Sequence, residues 1–188
     1  LPPGPHGLPP ELVERNQRER LIAAMAESCA EHGYAASSVA DVAKRAGVST
    51  ASFYRQFKDK RECMLASFEE LFGRLLEGLE GVCAGQAEPA AKARVGAAAA
   101  AELLAADPPT ARLLSVEILA AGTAGVSAQH GAIERMAALL RDPVGPPSSG
   151  LPDAAWASVA AMAAMVGRRV AEGESPQPAE LEAVAALL

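Results

Sequence analysis

Between Asp41 and Arg61 the chain sets Lys44, Arg45, Arg55, Lys58, Lys60 and Arg61 against only Asp41 and Asp59. That is a local balance of +4 in a protein whose formal net charge is −6. Clustered cations of this kind suit phosphate oxygens, because each contact neutralises a backbone charge and releases its counterion. Short hydroxyl side chains stand among them: Ser38, Ser49, Thr50 and Ser52. They are donors and acceptors small enough to let a protein backbone approach a duplex closely. Ser38 precedes a short helix, so it is expected both to cap that helix and to mark an end whose N–H groups favour an anion. Catalytic chemistry is not indicated. The sequence has no metal-ligand spacing, no nucleophile elbow, no phosphate loop and no convergent His/Asp/Glu set. No catalytic residue, metal or cofactor is therefore expected.

The elements that must position these residues follow from spacing. Residues 38–56, SVADVAKRAGVSTASFYRQ, hold two short helical segments joined by a turn at Ala46-Gly47-Val48. Ser38 with Asp41 forms a capping-box start, and Ser49 starts the second segment. Ala43 is small where the segments cross, Gly47 allows the positive φ of the turn, and Val42, Val48 and Phe53 close a small core. This is the helix-turn-helix pattern, whose second helix lies in the major groove. A longer helix over about 11–32 precedes it, with Leu21, Ile22, Met25, Ala26 and Cys29 at intervals of three and four, and Gly33 ends that helix. Asp59 and Glu62 open another long helix, with Met64, Leu65, Phe68, Leu71, Phe72, Leu75, Leu76, Leu79 and Val82 on one stripe.

On these blocks residues 15–65 resemble the DNA-binding domain of TetR-family transcriptional regulators. The blocks are Gly33-Tyr34, Ser38-Val39-x-x-Val42-Ala43, Ala46-Gly47-Val48-Ser49, Phe53-Tyr54-x-x-Phe57 and Lys60. The resemblance implies that Tyr54 and Lys60 touch phosphates and that the helix 49–56 reads bases. Arg55 and Gln56 stand where such proteins vary, which makes them base-reading candidates. It further implies a homodimer on a palindromic operator in double-stranded DNA, and a divergent helical domain for ligand binding and dimerisation. The DNA-binding set is then Ser38, Lys44, Ser49, Thr50, Ser52, Tyr54, Arg55, Gln56, Lys58 and Lys60.

The remainder is Ala- and Leu-rich and reads as helix over 89–106, 109–121, 124–141, 153–172 and 178–188, with a Pro/Gly/Ser loop at 143–152. Phe68, Phe72, Leu114, Glu117, Met162 and Met165 are candidates to line a pocket for a small apolar or amphipathic ligand. Glu117 has alternatives: an ion pair with Arg112, or exposure to solvent. Two stripes suit a dimer interface. Trp156, Val159, Ala160, Ala163, Val166, Gly167 and Val170 form one, and Leu181 and Val184 belong to the other. Small residues at these spacings let helices pack closely across a two-fold axis.

The expected fold is therefore all-α. Residues 1–10 form a Pro-rich arm, 11–58 a three-helix DNA-binding domain, and 59–188 a helical regulatory and dimerisation domain. Charge follows that division. Residues 1–61 carry nine Lys/Arg against seven Asp/Glu, while 62–188 carry eight against sixteen. Cys29, Cys63 and Cys83 are odd in number and widely spaced, as reduced core thiols are. No run is apolar enough for a membrane span, and LPPGPHGLPP lacks the regions of a secretory signal, so a cytoplasmic location is expected. The expected function is a repressor that leaves its operator when ligand binds. A regulator controlled by a protein partner is the alternative, and a helical enzyme is the more distant one.

Overall fold

The computed structural model describes residues 9–141 and 154–186. Nine α-helices and one 3-10 turn make up the described residues. The helices are α1 (Pro10–Ala36), α2 (Val39–Arg45), α3 (Thr50–Gln56), α4 (Lys60–Cys83), α5 (Pro89–Ala106), α6 (Pro108–Ser115), α7 (Thr123–Leu140), α8 (Ala154–Ala171) and α9 (Pro178–Ala185). The 3-10 turn Glu117–Ala121 lies between α6 and α7. Residues 1–8 of the arm expected over 1–10 and the loop expected over 143–152 lie outside the described residues, while Pro9 and Pro10 open α1.

Local chemistry explains most boundaries. Prolines occupy the first turns of α1, α5, α6 and α9, where a missing N–H costs no hydrogen bond. Asp59 accepts from the Glu62 N–H at 2.8 Å to start α4, and Asp107 accepts from the Thr110 N–H at 3.1 Å to start α6. Gly33 interrupts α1 with φ 77° and ψ 157°, a conformation that a side chain strains, so Tyr34–Ala36 form a separate last turn.

Two expectations change. The helix expected over 109–121 breaks at Val116 (φ −122°, ψ −60°), and the chain continues as the 3-10 turn. The break carries the Glu117 carboxylate inward, toward α1. The last helix ends at Ala185.

The core is continuous. At the N-terminal end Leu21, Met25, Val42, Phe53, Phe57, Cys63 and Met64 are fully buried or nearly so, with the Phe53 and Phe57 rings 5.6 Å apart. Toward the other end, Phe68 and Phe72 stack at 6.0 Å. Leu113, Ile118 and Val159 extend the core. Burying each such side chain stabilises by about 1.5–3 kcal/mol. Helix α9 lies along α5 and against α8, and Arg169 of α8 holds it by an ion pair to Glu180 while also pairing with Glu174 in the connecting segment.

Candidate nucleic-acid interface and ligand cavity

Helix α2 starts from a complete capping box. The Asp41 N–H donates to Ser38 Oγ and the Ser38 N–H to Asp41 Oδ2, both at 3.1 Å. Ser38 Oγ also donates to Asp41 Oδ2 at 2.5 Å. These bonds from the Ser38 hydroxyl, then its backbone N–H, hold the Asp41 carboxyl below its ordinary value. Ser38 is thus the expected cap, with its hydroxyl proton committed to Asp41.

The turn into α3 uses Gly47 at φ 63°, as its position between the two helices required. The Arg20 guanidinium packs directly against that glycine, where any side chain would displace it. Ser49 caps α3 by accepting from the Ser52 N–H at 3.0 Å. Thr50, Tyr54 and Arg55 are exposed on α3, along with Ala51. Positions 50, 51, 54 and 55 form one face of a helix, so the geometry offers a single outward surface. Tyr54 is 59% exposed and rests edge-on against Phe53, which fills the core. Lys44, Ser49 and Lys58 are exposed around the same unit.

Three members of the expected DNA-binding set point elsewhere. Ser52 is buried, and its hydroxyl sits 3.0 Å from Ser49 Oγ and accepts from Arg55 Nη2 at 2.8 Å. It braces the helix from inside, because position 52 falls on the core-facing side with Phe53. Gln56 is half-buried and reaches the Glu14 carbonyl on α1 at 3.5 Å, turned away from the outward face. Lys60 is half-buried. Its Nζ donates to the carbonyls of Tyr34 (2.7 Å) and Ser37 (2.8 Å) and stands 4.2 Å from the centre of the Tyr34 ring. Two of its three donors therefore clamp the end of α1. Arg45 is also committed, to Glu27 and Glu31. Arg18 lies over the Phe57 ring at 4.6 Å, a contact that sequence spacing alone did not single out.

A cavity of about 100 Å³ lies among α4, α5, α6, α7, α8 and α9. Phe68, Phe72, Leu114 and Met162 line it as expected. Glu117 and Met165 do not. Glu117 is buried on the far side of α6, where it pairs with Arg112 at 2.9 Å, and Met165 is half-buried outside the lining. The lining carries no charged side chain. Its polar groups are Cys83, Ser115 and Gln129, of which Ser115 donates to the Ala111 carbonyl at 2.6 Å and Cys83 to the Lys92 carbonyl at 3.6 Å.

The expected dimer stripe on α8 is turned largely inward. Val159, Ala163 and Val166 line the cavity together with Leu181 of α9, and Val170 is buried. Trp156, Ala160, Gly167 and Val184 are half-buried, and Trp156 packs beside His130 with ring centres 5.6 Å apart. The outward side of α8 carries Ala157, Ala161, Ala164 and Arg168 instead. Both sides are Ala-rich, so spacing could not tell them apart. All three cysteines are buried and unpaired. Among the described residues no group of His, Cys, Asp and Glu could hold a metal, and no helix is long and apolar enough to cross a membrane.

Comparison with known proteins bears on the same unit. Residues 21–67 match the family described as bacterial regulatory proteins, tetR family. A fatty acid metabolism regulator protein of Bacillus subtilis (strain 168) is 36% identical over 67 residues, covering 36% of this chain and 34% of that protein's length. Among solved structures, the fatty acid degradation regulator FadR from Bacillus halodurans superimposes with a TM-score of 0.76 at 20% identity, over 100% of this chain and 96% of that one. FadR from Bacillus subtilis, in complex with stearoyl-CoA, gives 0.69 at 20% identity, over 90% and 96%. Capped helices and a glycine turn thus agree with the match over residues 21–67, which places that unit with the tetR family of bacterial regulatory proteins, while the likeness over the rest of the chain is one of fold.

Proposed function

We propose that this protein is a homodimeric repressor of genes of fatty acid metabolism, which binds a palindromic operator and releases it when a long-chain acyl-CoA enters the cavity. The observation that carries the reading is the cavity lining. A hydrocarbon chain loses water against apolar side chains at no electrostatic cost, whereas a free carboxylate there would be buried without a counter-ion. The lining has no charge to offer, so its chemistry suits an acyl chain and leaves the anionic end of the ligand outside, and at about 100 Å³ the cavity has to widen as a long chain enters. The likeness to a regulator holding stearoyl-CoA supports the same ligand class.

In this reading α3 enters the major groove with Thr50 and Arg55 toward base edges. Tyr54, Lys44 and Lys58 meet phosphates, and the DNA-binding unit extends into the first turns of α4. Two copies related by a two-fold axis place two such helices on successive half-sites. The outward side of α8, at Ala157, Ala161 and Ala164, is the contact between copies.

The test is fluorescence anisotropy on a palindromic duplex that the protein itself selects from a randomised pool. Stearoyl-CoA is expected to release the duplex, while coenzyme A alone and stearate at the same concentration leave it bound. Operator affinity unmoved by saturating stearoyl-CoA overturns the reading.

A further inference from the structure

We infer that Glu117 is the positioning residue through which the state of the cavity sets the geometry of the DNA-contacting helices. The inference rests on the ligand-responsive reading above.

Glu117 is only 8% exposed, and a buried carboxylate persists only with partners. It has partners on two sides. Arg112 of α6 donates to Oε1 through Nε at 3.0 Å and Nη2 at 2.9 Å. The backbone N–H of Tyr34 donates to Oε2 at 2.7 Å, across 83 residues of sequence. That N–H is available because Gly33 breaks the helical ladder of α1 just before it. Glu117 lies directly over the break, 3.6 Å from where a Cβ on Gly33 would stand.

From Tyr34 the connection continues by short bonds. Lys60 Nζ holds the carbonyls of Tyr34 and Ser37, and Lys60 is the first residue of α4. Ser37 adjoins Ser38, the cap of α2. The orientation of the helix-turn-helix unit thus depends on a corner whose only charged tie to the 3-10 turn, among the described residues, is Glu117. On the other side, Ala111, Leu114 and Ser115 of α6 line the cavity, and Ser115 stands two residues before Glu117. A ligand that moves α6 carries Arg112 and Glu117 with it. A hydrogen bond of 2.7 Å is largely lost when its atoms separate by an ångström, so a small shift of α6 is enough to release the tie.

A pair that served only to stabilise the fold would lower the melting temperature when broken and leave the response to ligand intact. The experiment therefore reads the ratio of operator affinities without and with saturating stearoyl-CoA, beside the melting temperature and the calorimetric affinity for stearoyl-CoA. Wild-type protein should show a ratio of about 5–150, the usual size of such coupling. Glu117→Gln keeps an acceptor for the Tyr34 N–H but not the charge that holds Arg112, and its ratio should be intermediate. Glu117→Ala removes both ties, and its ratio should fall to about one while stearoyl-CoA still binds. If Glu117→Ala does not fold, Glu117→Gln decides alone. Variants that bind stearoyl-CoA and release the operator by the wild-type factor overturn the inference. Wild-type protein that keeps its operator at saturating stearoyl-CoA overturns the functional reading, and the inference with it.

Discussion

Gly125, in the first turn of α7, lies so close to Ile118 that a methyl group on it would run into the Ile118 carbonyl oxygen. The obstacle is backbone, and no side-chain rotation relieves it. Gly125→Ala should therefore destabilise the protein by about 1–3 kcal/mol, as overpacking does. It should also displace the 3-10 turn that carries Glu117. Chemical denaturation measures the first effect, and an unchanged midpoint would show that the two segments separate freely.

Burial pushes the thiols of Cys29 and Cys63 up to about 12, with the Glu117 charge adding to the effect at Cys29. Both remain protonated at pH 8, and Ellman's reagent should leave them unmodified in the native protein and react once it is unfolded. The sign for stability follows. Above the ordinary thiol value of 9.0 the unfolded chain loses these protons while the folded chain keeps them, so stability falls from about pH 9 to about pH 12. A Cys29→Ala, Cys63→Ala double variant should show a shallower alkaline decline.

Arg55 and Gln56 are neighbours in sequence with different outlooks. Arg55 is exposed beside Thr50 and Ala51, whereas Gln56 turns toward Glu14. Replacing Arg55 with Ala should cost about 1–3 kcal/mol on the operator and little on random DNA. Gln56→Ala should leave the ratio of the two affinities close to that of the wild type. Equal losses on both DNAs for Arg55→Ala would make that residue a phosphate contact.

The contact between copies is assigned to the outward side of α8, and Ala161→Glu should give a helical monomer by sedimentation with weakened operator binding. Ala163→Glu tests the other side. It would place a carboxylate in the cavity, and its expected defect is in stability and stearoyl-CoA binding, with dimerisation retained. A dimer undiminished by Ala161→Glu would move the interface off this side.

The helix-turn-helix was legible because its signals are local. Capping boxes, a glycine at a turn and core residues three and four apart act within a few residues, so Ser38, Asp41, Gly47, Ser49 and Phe53 could be read in order. The all-helical fold was legible for the same reason, since Ala and Leu favour helix wherever they stand. Direction was not. On α8 many positions are small and apolar, so Val159 and Ala161 look interchangeable until α6, α7 and α9 cover one side and leave the other open. Long-range polar bonds were equally hidden. Lys60 is one of six cations in its window, and only the folded chain brings the carbonyls of Tyr34 and Ser37 to its ammonium. Glu117 sits in a run of apolar residues that reads as helix through position 121. The turn there exists because a carboxylate can be buried only where Tyr34 and Arg112 meet it, and that meeting is decided by tertiary structure.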